Sequence, residues 1–348
     1  MNTKINNKLI LSVILLVFSI KSLSAFELIK STIGAEATAL GGAMAATVND
    51  PSAIYWNPAG LANINGKNKQ KSKTNLSSEA DQKFSSDSFD KLFEDSEKRL
   101  DKTDEIAPQN SSSPFEIQLF TTYGYMTFDR HIFMASTAMT LFKGTFGLGL
   151  LGTYVPFIDG YNTLGVSTGT ISYGSYAGYL GYGWESGMVK MGVSLSAYQE
   201  ALYTKNYFGG ALNMGMQITP IPILHIGVAM QNLPGGMQYS PSNPSLIRRV
   251  DTVMKMTLGI STPPPDASLM LLLGVDANLD QIAQQEVYGN IGLQVKFAKY
   301  FALMAGYKYN SFALGFGFNL PFIKISYAIN QDPLHTGFQH FVDLNLAF

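Results

Sequence analysis

Apolar residues alternate with small or polar residues, at a period of two, through most of the stretch 114–348. The clearest runs are Leu212–Ile218, Leu224–Met230, Met254–Ile260, Ile291–Phe297 and Phe312–Leu320. Because successive side chains of a β-strand point to opposite faces, each strand must lie between two different environments. The pattern predicts an all-β fold.

The composition of the polar face separates a soluble sandwich from a barrel in a membrane. That face carries mostly Gly, Ala, Ser, Asn, Thr and Gln, and charged residues are only 14% of the chain, against roughly 25% in soluble domains. Five mid-strand lysines fall on the polar face: Lys190, Lys255, Lys296, Lys308 and Lys324. A lysine on the lipid face costs about 2–4 kcal/mol at the bilayer midplane, so this phasing predicts a transmembrane β-barrel.

The segments predict fourteen antiparallel strands, an even number as expected of single-chain bacterial barrels. Connections after even-numbered strands are mostly tight, whereas the longest, 157–170 and 233–251, follow odd-numbered strands. Short periplasmic turns and longer outer loops are typical of the outer membrane. We therefore expect a multi-pass β-barrel in the cell outer membrane.

The N-terminus predicts export. Lys4 and Lys8 precede an apolar run at 9–20, and small residues offer cleavage near Ala25. This pattern is typical of a secretory signal peptide. The alternative is a retained inner-membrane anchor.

The density of charged residues divides the rest of the chain into segments. Residues 63–113 hold 19 charged residues in 51, and residues 114–348 hold 23 in 235. We predict a signal peptide at 1–25, an N-terminal plug segment at 26–62, a polar and largely flexible linker at 63–113, and the barrel at 114–348. Apolar residues at helical spacing after Ser88 predict a short amphipathic helix in the linker.

A small-residue segment at 34–62 ends in Trp-Asn-Pro-Ala-Gly-Leu. Its marked positions are Gly41, Gly42, Asp50, Trp56, Asn57, Pro58, Ala59 and Gly60. The segment resembles the N-terminal signature of the PorV/PorQ outer-membrane family, which is related to the FadL fatty-acid transporters. Ser326 and the Gln339–Phe341 stretch depart from that family's pattern. The resemblance implies a fourteen-stranded barrel with this segment inside as a plug.

Physical reasoning is consistent with a plug. A barrel of fourteen strands has a lumen wider than its own side chains can fill, and a Gly/Ala-rich segment can approach such a wall closely. Asn57 can bond backbone groups of the turn, and Pro58 fixes its own φ. Two interpretations of this turn stay open, a structural lock for the plug and a ligand contact.

The third predicted strand departs from strict alternation at Leu150 and Leu151. A β-bulge is one explanation, and FadL-like transporters have a kink in their third strand that opens the wall sideways. We therefore predict a break in pairing at Gly149, Leu150, Leu151 and Gly152 as a lateral opening.

The chain ends on an aromatic strand with Phe348 last, which resembles the signal that barrel-assembly machinery reads. Its four histidines lack ligand spacing, Asp276, Asn278 and Asp280 fall short of a calcium loop, and no catalytic motif is present. We expect no enzyme, no metal and no cofactor. Because positive and negative charges are nearly balanced, nucleic acid is not expected as a partner. The chain has no cysteine.

Three functions remain. The leading hypothesis is passive transport of a hydrophobic small molecule, as the FadL resemblance implies. The second is a scaffold that holds an exported protein in a secretion system, as the PorV resemblance implies. The third is a structural barrel without cargo. Outer-membrane lipid and the barrel-assembly machinery are expected partners in each case.

Overall fold

The computed structural model describes residues 32–64, 117–161, 164–202, 205–241, 243–250, 252–262, 267–279, 287–297, 300–332 and 336–348. The N-terminal part contains helices α1 (Ala35–Ala39) and α2 (Ala53–Trp56) and a 3-10 helix (Pro58–Ile64). The strands are β1 (Ile117–Met126), β2 (Arg130–Leu141), β3 (Gly144–Tyr161), β4 (Ser167–Ser186), β5 (Val189–Leu202), β6 (Lys205–Ile221), β7 (Leu224–Ser240), β8 (Asn243–Val250), β9 (Val253–Ser261), β10 (Ala267–Asn278), β11 (Val287–Phe297), β12 (Phe301–Lys308), β13 (Ser311–Asn319), β14 (Ile323–Gln331) and β15 (Phe338–Ala347).

Within the described ranges, fourteen antiparallel strands close into a barrel, as the alternation predicted. From β1 to β7 and from β9 to β15 each strand pairs with the next strand in sequence, and β1 pairs with β15. β7 then pairs with β9, because β8 pairs with the outer part of β7 and stands outside the closed wall. Closure leaves the wall without a free edge.

The outward positions of the wall form a continuous apolar surface. Along β1, β2 and β9, exposed and buried residues alternate, and mid-strand Leu148, Leu180 and Leu195 are each more than half exposed. Such a surface is stable only in lipid. The protein is therefore an outer-membrane β-barrel, as predicted. No helix in the described part is long and apolar enough to span a membrane.

Residues 32–64 fold inside the wall as the plug. Their apolar side chains form a core with inward-facing wall residues such as Met134, Leu151 and Leu272. Close packing depends on wall glycines: a Cβ at Gly227 would lie 2.1 Å from the carbonyl oxygen of Ala45. The predicted signal peptide and nearly all of the predicted linker, including its helix, lie outside the described residues.

The predicted break at Gly149–Gly152 is wrong. These residues pair in unbroken register with both β2 and β4. Leu150 faces lipid and Leu151 faces the plug, so Leu151 is apolar because the lumen here is a packed core. Gly152 faces outward beneath Phe133 and Tyr176. The register shift in β3 lies further on, between Val155 and Ile158.

The two predicted outer loops are largely strand. Much of 157–170 extends β3 and β4, and 233–251 contains the end of β7 together with β8. The start of β1 and the end of β15 lie together at the other end of the barrel, which we call the terminus-bearing end. The described connections at this end are short. Its short turns identify it as the periplasmic end.

Candidate functional site: the plug and the lumen wall

Asn57 is the main polar anchor between plug and wall. Its side chain is fully buried, and its Nδ2 donates to the carbonyl oxygens of Ala45 (2.7 Å), Met216 (3.1 Å) and Val228 (3.3 Å). Its Oδ1 accepts from the backbone N–H of Ala59 at 3.1 Å. One amide thus connects the plug to β6 and β7 and fixes the turn that follows it. These contacts favour a structural role for the turn.

Glycines in the wall make room for this turn. A Cβ at Gly215 would lie 1.8 Å from Asn57 Oδ1, and one at Gly192 would lie 2.2 Å from the carbonyl carbon of Pro58. Inside the plug, a Cβ at Gly60 would lie 2.5 Å from the carbonyl oxygen of Val48. The plug and the wall therefore approach each other at backbone distance.

Trp56 lies over a buried charge cluster. Its indole is fully buried and donates to the carbonyl of Ile33 at 3.1 Å. Lys255 Nζ lies 5.0 Å from the ring centroid, within cation–π range. The same lysine lies 3.4 Å from Asp276, which also pairs with Lys308 at 2.7 Å. Two wall ammonium groups thus share one wall carboxylate beneath the plug's tryptophan.

A second polar contact holds the beginning of α1. Asp343 of β15 accepts hydrogen bonds from the backbone N–H groups of Ala35 (2.7 Å) and Glu36 (3.0 Å). A carboxylate is favoured beside free N–H groups at a helix N-terminus. The wall therefore caps the helix of the plug.

Glu36 itself bonds to Lys324 of β14 and accepts from Gln294 at 3.2 Å. Burial alone would raise the pKa of the Glu36 carboxyl, but the Lys324 ammonium beside it holds that pKa below the ordinary value. The lysines that the sequence placed on the polar face do face the lumen. Lys190 contacts Asn63 of the plug, and Lys296 shares a face with Gln294.

The remaining predicted plug residues have local roles. Asp50 bonds to the backbone N–H and hydroxyl of Ser52 and so shapes the turn into α2. Gly41 and Gly42 adopt positive φ (64° and 78°) at the end of α1, where glycine has no steric penalty. A Cβ at Gly41 would lie 2.8 Å from carbonyl oxygens of β11 and β12.

A buried polar cluster on β5, β6 and β7 was not predicted. We call it the polar lumen cluster, and it consists of Ser194, Ser196, Tyr198, Asn213 and Asn232. Tyr198 donates to Asn232, and Asn213 accepts from the backbone N–H of Asn232 at 2.9 Å. Beside it, the ring of Tyr55 in the plug packs edge-on against Tyr179 of β4 at 6.2 Å. A phenol- and amide-lined part of the lumen results.

The wall is irregular next to this cluster. Between the pairs Gly210↔Met237 and Met214↔Met230, β6 advances four residues while β7 advances seven. On its other side, β7 is in register with β9 up to Gln231 and with β8 from Gly236. The junction is bridged by a bond from Thr252 to the carbonyl of Asn232 at 3.1 Å. We call residues 232–235 of β7 with Thr252 the β7 junction.

Phe348 lies at the terminus-bearing end, largely exposed, and its N–H donates to the carbonyl of Ile117 at 2.9 Å. Its role as an assembly signal stays a prediction. No group of three side chains suited to a metal ion occurs in the described residues.

No protein-family model and no curated protein matches the chain. Solved structures do match. The chain is similar to CymD, described as a monoaromatic hydrocarbon channel, with a TM-score of 0.51 at 9% identity, over 93% of this chain and 98% of that one. It has the FadL-like barrel fold. A FadL homologue of Pseudomonas aeruginosa matches with a TM-score of 0.50 at 9% identity, over 95% and 99% of the two chains. The PorV/PorQ resemblance receives no support from these comparisons.

Proposed function

We propose that the protein is a passive outer-membrane channel for hydrophobic small molecules. The observation that carries the proposal is a FadL-like barrel that combines a fixed plug with an irregular wall at the β7 junction. CymD, a monoaromatic hydrocarbon channel, has a comparable barrel. The scaffold and structural alternatives have no comparable observation in their favour.

The change of register beside the polar lumen cluster supports a route through the β7 junction. The plug is tied to the wall by Asn57, Asp343 and Lys324, so moving the whole plug would break many buried contacts. At the β7 junction the register changes on both sides of β7, so the wall departs there from the regular ladder. A hydrophobic molecule leaving the lumen at this point enters lipid without crossing water.

Uptake into proteoliposomes tests the proposal. Labelled toluene and a labelled fatty acid are supplied outside, and uptake is compared with that of empty liposomes. We expect faster uptake of at least one of them. Uptake at the empty-liposome rate for both would contradict transport and would leave the scaffold as the stronger hypothesis.

A cross-link tests the route, and the absence of native cysteine makes it specific. Pro234→Cys with Thr252→Cys, joined by a short bismaleimide, closes the β7 junction. We expect a several-fold loss of uptake that depends on the reagent. The control pair is Val228→Cys with Met256→Cys, which are register partners in the intact β7–β9 ladder, and we expect cross-linking there to leave uptake unchanged.

A further inference from the structure

The turns at the terminus-bearing end are apolar. Each described turn there presents at least one exposed, large apolar side chain, and so does the chain end: Phe142, Met188, Ile221, Ile223, Tyr300, Leu320, Phe322 and Phe348. Phe142 is 84% exposed and Phe322 is 70% exposed. Tight hairpin turns in water are usually built from Gly, Asn and Asp. Phe142 even adopts a positive φ of 57°, which is uncommon for such a residue.

These side chains continue the lipid-facing surface. On β13, Phe316 and Phe318 point outward, and the same alternation passes through the turn to Leu320 and Phe322. The apolar band therefore does not stop where the strand stops.

Strand length on one side of the barrel is a second observation. β12 has eight residues, and β13 and β14 have nine each. At ~3.4 Å per residue and a tilt of ~40°, eight or nine residues span about 21–23 Å, less than the ~25 Å height of a typical apolar band. On this side of the barrel, the strands cover the band only if the apolar turns are included.

We propose that the turns of the terminus-bearing end are seated in the periplasmic leaflet, in contact with phospholipid, instead of projecting into the periplasm. The exposed Lys143 beside Phe142 supplies an ammonium group at this depth. A lysine next to an apolar anchor suits the boundary between acyl chains and anionic headgroups. The inference does not depend on the cargo.

Spin labelling tests the depth of these turns, because the chain has no cysteine. Phe142→Cys, Met188→Cys and Phe322→Cys are labelled one at a time in vesicles of phosphatidylethanolamine and phosphatidylglycerol. Collision with oxygen and with a water-soluble nickel chelate is measured by electron paramagnetic resonance. Leu195→Cys, in mid-wall and 59% exposed to lipid, is the lipid reference. Ser167→Cys, exposed at the outer tip of the 20-residue β4, is the water reference.

We expect the turn labels to resemble the Leu195 label, with oxygen collisions favoured and nickel collisions reduced several-fold relative to the Ser167 label. Far-ultraviolet circular dichroism checks that each variant keeps its β-structure. Nickel accessibility equal to that of the Ser167 label at all three turns would overturn the proposal. Such a result would favour a periplasmic protein as the occupant of this surface.

Discussion

A single buried amide can determine how a plug sits in a barrel. Asn57 donates to carbonyl groups of the plug, β6 and β7, which replaces hydrogen bonds that water would otherwise supply. The arrangement needs a wall residue without a side chain opposite it. Gly215 is that residue, so Asn57 and Gly215 act as a pair.

Gly215→Ala tests this pairing. The added methyl group would lie 1.8 Å from Asn57 Oδ1, so Asn57 must move and lose bonds. We expect a fall in the free energy of unfolding of about 1–3 kcal/mol, as is typical of overpacking. Urea unfolding in detergent, followed by circular dichroism, measures it.

Gly178→Ala is the matched control. Gly178 is also a strand glycine, but the nearest atom to its added Cβ, in Leu150, is 3.8 Å away. We expect a change within about 0.5 kcal/mol there. Equal effects of the two substitutions would mean that contact with Asn57 is not the cause.

At the scale of elements, α1 depends on the wall. It has five residues, far too few for a helix to be stable by itself. Asp343 caps its N-terminus, and Lys324 pairs with Glu36 in its first turn. The wall thus supplies stability that the helix lacks.

A double-mutant cycle on Glu36→Gln and Lys324→Gln measures this contribution. Each single substitution leaves a partly buried charge without its main partner, whereas the double substitution removes both charges. We expect each single variant to lose about 1–3 kcal/mol and the double variant to lose less than the sum. Additive losses in urea unfolding would show that the ion pair contributes no coupling.

The sequence predicts a strand well when each of its two faces meets the same environment along its whole length. The fourteen wall strands follow from alternation because one face meets lipid. The outer extensions of β3, β4, β7 and β8 were taken as loops, because beyond the membrane neither face has a fixed polarity. The break at Gly149–Gly152 was predicted for a related reason. The prediction assumed a polar lumen, whereas Leu151 faces the packed plug.

The candidate site was predicted unevenly. Asn57 and its neighbours were identified because their order forms a recognisable motif. Asp343 and the polar lumen cluster were not, because a polar residue on the lumen face looks the same in sequence whether it contacts water, another wall residue or the plug. Their pairing requires the register of distant strands.

At the scale of the whole molecule, the hydrophobic core lies inside the barrel, and half of its buried residues come from the plug. Deletion of 32–64 should therefore lower the unfolding free energy and open an aqueous pore. We expect a large rise in ion conductance in planar bilayers. Deletion of 70–102, which has the same length and leaves the plug intact, is the control. Equal conductance of the two variants would contradict the role of the plug as a seal.

The wall is also uneven in height. β3, β4, β6 and β7 have 17 to 20 residues, whereas β12, β13 and β14 have eight or nine. When the turns of the terminus-bearing end are aligned, the additional residues of the long strands extend the wall on its outer side in one sector only. Seen from outside the cell, one sector of the rim is higher than the other. Most of the protein surface that is accessible from outside the cell therefore lies on that one sector.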